Sequence, residues 1–235
     1  MSKKTDTKKV YVFVLEGWAD KNALEQLLKQ IYRNTSIYSV VMYGDVTSDK
    51  KTSSSKLVNA IATKVREKLQ EDKIKKADVY HIFQICDMDG AFSPDSVIKK
   101  GIVDSYVYSP TSITVPNIEK AKERNRRKRD SINELLSTKT ILGVDFKLFY
   151  MSSNLDHALY DIQNLDDDLK IAKADEFYEQ FRDCPVKFID YLIKNSFEVP
   201  QKYLESWEYI KEGCHSLERH NNLFICFKDY PPYAV

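Results

Sequence analysis

Two stretches of this chain are largely apolar and each ends abruptly in acids. Val10–Leu15 (VYVFVL) runs into Glu16, Gly17 and Asp20, and Val79–Cys86 (VYHIFQIC) runs into Asp87, Asp89 and Gly90. A strand of six or more apolar residues is buried on both faces, as in a parallel sheet covered by helices. Between the two, Ala23, Leu24, Leu27, Leu28 and Ile31 recur with helical period, and so do Leu57, Val58, Ile61, Val65 and Leu69. Ile37–Tyr43 reads as a further strand stopped by Gly44 and Asp45, followed by a polar loop over Thr47–Ser55. Strand and helix thus alternate twice, the pattern of right-handed βαβ units and a parallel sheet. If the three strands run parallel, Glu16, Asp45 and Asp87 share the carboxyl edge of the sheet, where ligands bind in folds of this kind.

Beyond Gly90 the pattern weakens. Pro94, Pro110 and Pro116 interrupt the next segment, and Ile102–Tyr108 is a candidate short strand. Glu119–Ser137 reads as a helix and Phe146–Met151 as another strand, followed by Ser152, Ser153 and Asn154. After Asp168 the text is helical and aromatic, with Phe177, Phe181, Phe188, Tyr191, Leu192, Trp207 and Tyr209 spaced as a core rather than as base-stacking platforms. The expected organisation is a basic arm at 1–9, an α/β domain at 10–155 with an insertion at about 91–140, and a helical extension at 156–235. The fold class is α/β, a Rossmannoid parallel sheet flanked by helices.

Composition narrows the setting. With 235 residues and 43% hydrophobic positions the chain can bury a substantial core, and a net charge of +1 leaves any nucleic-acid partner to the local distribution of charge. Cys86, Cys184, Cys214 and Cys226 contain no C-x-x-C pair and read as reduced thiols in the cytoplasm. Cys214, His215, His220 and Cys226 fit no common zinc spacing and read as ordinary buried thiols and surface histidines. The first apolar run is too short for a signal peptide or a membrane span, so no membrane partner is expected.

Charge is segregated along the chain. Lys120–Arg129 (KAKERNRRKR) holds seven cations, and no apolar residue stands between Ala121 and Ile132. A helix polar all round stands in solvent. It is then either a solvated face balanced by Glu119, Glu123 and Asp130, or a ridge tracking nucleic-acid phosphates through Arg124, Arg126, Arg127, Lys128 and Arg129. The five aspartates of Asp156–Asp168 are its counterweight. They would repel nucleic acid unless they bind a second metal or cap a helix.

Three or four carboxylates meeting at one edge suit a hard divalent cation, Mg²⁺ or Mn²⁺, better than zinc. Glu16, Asp20, Asp87 and Asp89 are the candidate ligands. The order strand–E-G-x-x-D–helix, then strand–D-x-D-G, resembles the Toprim domain of topoisomerases, bacterial primases, a ribosomal-RNA maturase and the overcoming-lysogeny-defect nucleases. The match covers about residues 10–155. It implies a Toprim-like fold, Mg²⁺ held by Asp87 and Asp89, and Glu16 either completing the metal site or handling a proton. The catalytic set is then Glu16, Asp87 and Asp89, in a nuclease cutting DNA or RNA, with phage defence as a setting. FYMSSNLDHALY at Phe149–Tyr160 is similar to a segment near the end of stand-alone Toprim-like phage-resistance proteins, but Asp156 and His157 stand where an aromatic and a Glu belong. The chain has no G-x-x-x-x-G-K-[ST], so nucleotide-driven control implies an ATPase on a separate chain. A homo-oligomer is left open.

Two other readings start from the same residues. I-C-D-M-D-G also resembles the first motif of haloacid-dehalogenase-type phosphatases, with Asp87 as nucleophile and Asp89 as general acid. That motif normally opens its fold, whereas here two βαβ units precede it, and Glu16 goes unexplained. The second alternative keeps the Toprim-like fold without turnover, as a module that binds nucleic acid or a partner.

Overall fold

Apolar continuity sets the centre of the sheet. All six residues of β1 (Val10–Leu15) are buried. The amphipathic α1 (Trp18–Ile31) turns Ala23, Leu24, Leu27, Leu28 and Ile31 onto the sheet, each large side chain contributing about 1.5–3 kcal/mol on burial. The chain continues through β2 (Ser36–Val41), α2 (Ser54–Glu71) and β3 (Val79–Asp87). β1 pairs in parallel with both β2 and β3. The computed structural model describes residues 10–33, 35–42, 45–48 and 54–231; the basic arm at 1–9 and part of the loop after Asp45 lie outside the described residues.

After β3 come three short strands, β4 (Ile98–Lys100), β5 (Val107–Ser109) and β6 (Ser112–Val115), which form a small separate sheet in the order β4-β6-β5. Only the end of the expected Ile102–Tyr108 strand is extended; Ile102 itself is fully exposed. The long α3 (Ile118–Ser137) then leads to β7 (Thr140–Ile141) and β8 (Val144–Ser152). β8 pairs in parallel with β3, giving the main sheet the order β2-β1-β3-β8-β7. The fold is α/β, a mostly parallel sheet flanked by helices.

The C-terminal part comprises α4 (Leu155–Tyr160), α5 (Lys170–Phe181), α6 (Val186–Lys194), α7 (Tyr203–Ile210), β9 (His220–Asn221) and α8 (Leu223–Asp229). It shares the core of the sheet rather than standing apart: Phe177, Phe181, Phe188, Leu192, Trp207 and Phe227 are buried in the same apolar cluster as β1 and β3. β9 pairs antiparallel with the end of β8. Phe177, Phe181, Phe188 and Trp207, read as core, are core; Tyr191 and Tyr209 are partly buried and pack against it.

The expectation overturned most plainly concerns α3. It does not stand in solvent. Its buried face is Ala121, Asn125, Lys128, Ser131, Ile132 and Leu135, and Lys128 is 0% exposed. The helix lies across the carboxyl edge of the main sheet, and polar side chains occupy its inward stripe because the edge they meet is acidic.

A candidate acidic active site at the strand ends

The parallel register brings the strand-terminal acids to one edge, as the alternating pattern predicts. Glu16 follows β1, Asp45 follows β2, and Asp87 and Asp89 follow β3. Helix starts add two more. Asp20, in the first turn of α1, accepts a hydrogen bond from the Gly17 backbone N–H at 2.8 Å. That is a capping contact, so one of its oxygens has a structural task. Asp156 lies in the first turn of α4, whose cap is Asn154, accepting from the His157 N–H at 2.8 Å. Asp87 Oδ1 accepts from the Leu155 N–H at 2.8 Å, which ties the end of β3 to the same helix start.

The turn after β3 is tightly specified. Asp89 and Gly90 both have left-handed backbone angles, φ 49° and 63°. A Cβ on Gly90 would stand 2.4 Å from Leu217 Cδ2 and 2.9 Å from Ile113 Cδ1, so only glycine fits there. Gly17, by contrast, is extended and has ordinary room for a Cβ; its place in E-G-x-x-D is not dictated by this backbone.

Two lysines divide the acids into halves. Lys128 Nζ lies 2.9 Å from Asp45 Oδ2 and 2.5 Å from Asp89 Oδ2. Asp45 is also bound by the hydroxyls of Thr47 and Ser48. Against the upward push of burial, Lys128 and these hydroxyls hold its carboxyl below the usual range. Burial would lower the Lys128 ammonium, but Asp45, Asp89, Glu16 and Asp87 together hold it well above the ordinary lysine value. Glu16 is 8% exposed and its Oε1 has no hydrogen-bond partner. Burial, then the neighbouring Asp45, push its carboxyl well up. On the other side, Lys170 lies 3.6 Å from Asp156 and 2.9 Å from Asp167.

This second half faces a cleft of about 490 Å³ that also reaches Tyr106, Tyr108 and Asn164. Burial first and Asp20 next raise Asp87 well above the usual carboxyl range; burial, with Asp156 adding to it, brings Asp20 to about 6. The far wall is latched by a paired contact: Asn164 accepts from the Tyr108 N–H at 2.7 Å and donates to its carbonyl at 2.8 Å. Arg124 extends over the ring of Tyr106 at 4.5 Å, donates to the Tyr108 hydroxyl at 2.7 Å, and reaches the Asp89 carbonyl at 2.9 Å.

Of the four predicted metal ligands, Glu16, Asp87 and Asp89 meet at one edge and Asp20 lies beside Asp87. They do not form a single cage as they stand. No three His, Cys, Asp or Glu side chains among the described residues are gathered closely enough to hold one ion. Asp89 is bound by an internal lysine instead. Of the five predicted nucleic-acid contacts, Lys128 is buried and ion-paired, and Arg124 is engaged with Tyr108 and Asp89. Arg129 donates to the Ala91 carbonyl and Arg127 pairs with Glu123. Arg126 is exposed. Lys170, given no role by the sequence pattern, lines the cleft together with Asp156, whose aspartate run was expected to bind a second metal or cap a helix.

Cys214, His215, His220 and Cys226 gather into no metal-holding group among the described residues; against the expectation of buried thiols and surface histidines, His220 is buried and Cys214 is partly exposed. Among the described residues no helix is long and apolar enough to cross a membrane. No protein-family model, curated protein or solved structure matches the chain.

Proposed function

We propose that this is a Toprim-like, Mg²⁺- or Mn²⁺-dependent nuclease that hydrolyses phosphodiester bonds of DNA or RNA at the cleft over Asp87. The observation that carries the reading is the cost of the site. Glu16 and Asp87 at strand ends and Asp20 and Asp156 at the adjoining helix starts share one edge, and burial raises the pKa of each. Like charges assembled against their own repulsion at the ligand-binding edge of an α/β sheet mark a functional site. The donors are oxygens only, and the orphaned Glu16 Oε1 leaves one of them unmet; this chemistry fits a hard cation.

Asp20, Asp87 and Asp156 would hold the ion on the cleft side after a local adjustment of side chains. A bound divalent cation supplies charge stabilisation at the phosphoryl oxygens and a more acidic water. The chain's own residues do the rest. Lys170, at the cleft rim, offers a displaceable cation to a phosphate. Glu16, protonated more readily than an ordinary glutamate, is placed to hold or give up a proton behind Asp87. Tyr106 and Tyr108 form an aromatic wall against which a base can lie. Outward cations of α3, Lys120 and Arg126, extend the polyanion path. The four cysteines are unpaired thiols, which fits a reducing cytoplasm. By resemblance, control by an ATPase on a separate chain belongs to the same reading, with phage defence as its setting.

The test is cleavage of labelled single- and double-stranded DNA and RNA with Mn²⁺. Glu16→Ala and Asp87→Ala should each lower the rate at least about a hundredfold, as the loss of several kcal/mol of charge stabilisation requires. Hydrolysis of a small phosphomonoester that survives Glu16→Ala would favour phosphatase chemistry with Asp87 as nucleophile.

A further inference from the structure

The acids at this edge outnumber what one ion can serve, and one group of them already has a cation. Lys128 is fully enclosed, and its ammonium contacts Asp45 and Asp89 at 2.9 and 2.5 Å. It cannot swing away as a surface lysine does. Ile132 and Leu135 anchor its helix in the core below. One turn above, Arg124 binds Asn125 Oδ1 at 2.8 Å and the Asp89 carbonyl at 2.9 Å. Lys170 is different: a third of its side chain is exposed and it lies at the cleft rim.

Resting on the metal-dependent reading above, we propose that Lys128 is a fixed cation of the site: its ammonium fills the position at Asp45 and Asp89 that a divalent ion would otherwise take. The protein then binds one exchangeable divalent ion, on the cleft side of Asp87, rather than two. The second, independent mark of a charged position here is Glu16, more than nine-tenths buried, with Oε1 unpartnered and Asp45, Lys128, Asp87 and Asp89 as its charged neighbours. As a stability device the arrangement is poor, because a buried ion pair contributes little over an apolar substitute of equal volume. As a permanent counter-charge it has a use. It lets Glu16, Asp45 and Asp89 stay close to Asp87 without a second ion, and it keeps a positive charge behind Asp89, which lines the cleft.

The experiment counts Mn²⁺ ions on the full chain by calorimetry and by the loss of the free-ion paramagnetic resonance signal. Wild type should bind one ion. Asp87→Asn and Asp156→Asn should weaken it by about tenfold or more, equal to about 1.4 kcal/mol. Asp45→Asn should leave the affinity within about threefold, under 1 kcal/mol. Lys128→Met should bind a second ion, and Mn²⁺ should raise its melting temperature more than that of wild type. Two ions on wild type, one of them lost in Asp45→Asn, would overturn the proposal, as would an unchanged single ion in folded Lys128→Met. If Lys128→Met does not fold, Asp45→Asn decides the matter: a tenfold loss of affinity refutes the fixed-cation role. Wild type binding no Mn²⁺ would instead overturn the metal-dependent reading itself, and this proposal with it.

Discussion

The two halves of the acidic edge are built from the same parts and behave differently. In the enclosed half, Asp45 and Asp89 surround the buried Lys128, with Glu16 behind them. In the open half, Asp20, Asp87 and Asp156 line a cleft with Lys170 at its rim. Solvent makes the difference. Lys128 is cut off from water, so its ammonium depends on Asp45 and Asp89 and removing it is costly, although their own side chains are 28% and 16% exposed. Where water reaches the lysine, the pair is weak and the carboxylates remain available to another cation. The burial of the lysine, 0% exposed for Lys128 against 33% for Lys170, thus separates the fixed part of the site from the exchangeable part.

The sharpest way to break this comparison is to remove each lysine. Lys128→Ala leaves two carboxylates uncompensated and should cost about 3–5 kcal/mol. Lys170→Ala should cost no more than about 1 kcal/mol, as for a solvent-accessible pair. Urea unfolding of the two variants measures both. Similar losses would mean that the halves are not distinct.

Next in size is the response to pH, where Asp45 and Asp20 have opposite signs. Asp45 is held low in the folded state, so its stabilisation is full above the unfolded carboxyl pKa and is lost as acid protonates it, below about pH 4. Asp20 is raised from 3.8 to about 6, so the folded state holds its proton more tightly than the unfolded chain. Its stabilisation is full below 3.8 and is lost as pH rises through about 6. Without divalent cations, melting temperature should therefore fall between pH 4 and 7, and saturating Mg²⁺ should reduce that fall. A decline that Mg²⁺ leaves untouched would separate the open half from metal binding.

The enclosed half also shows where sequence reasoning stopped. Strand and helix alternation was legible because β1 and β3 are apolar on both faces, and it correctly placed Glu16, Asp45 and Asp87 at one edge. α3 was misread because its inward face is polar at three places, Asn125, Lys128 and Ser131. Stepping back from Leu135 and Ile132 by threes and fours reaches Lys128, Asn125 and Ala121, all buried. The helical period was present, but an apolar criterion cannot recognise a lysine as a core position. What makes Lys128 a core residue is Asp45, 83 positions away in the chain. The small sheet β4-β6-β5 escaped for a simpler reason: strands of three or four residues are too short to show a period.

The smallest expected effect concerns the outward face of α3. Lys120→Ala and Arg126→Ala should leave stability within about 0.5 kcal/mol. If these side chains track phosphates, each should lower the slope of log K against log salt by about 0.7–0.9. An unchanged slope would confine nucleic-acid contact to the cleft. Neutralising Arg124, which bridges Tyr108 and Asp89, should instead disturb the site itself.

The most direct test of the central claim, that the cleft over Asp87 takes a phosphodiester together with a divalent cation, is binding of a hydrolysis-resistant phosphorothioate oligonucleotide. Fluorescence anisotropy would compare Mn²⁺ with chelator at constant ionic strength. Six aspartates and one lysine line the cleft, so a phosphate should enter only after the ion. The account predicts binding at least about tenfold tighter with Mn²⁺, a gain of about 1.4 kcal/mol, and the loss of that gain in Asp87→Asn. Equal affinity with and without Mn²⁺, or a Mn²⁺ gain that persists in Asp87→Asn, would contradict it.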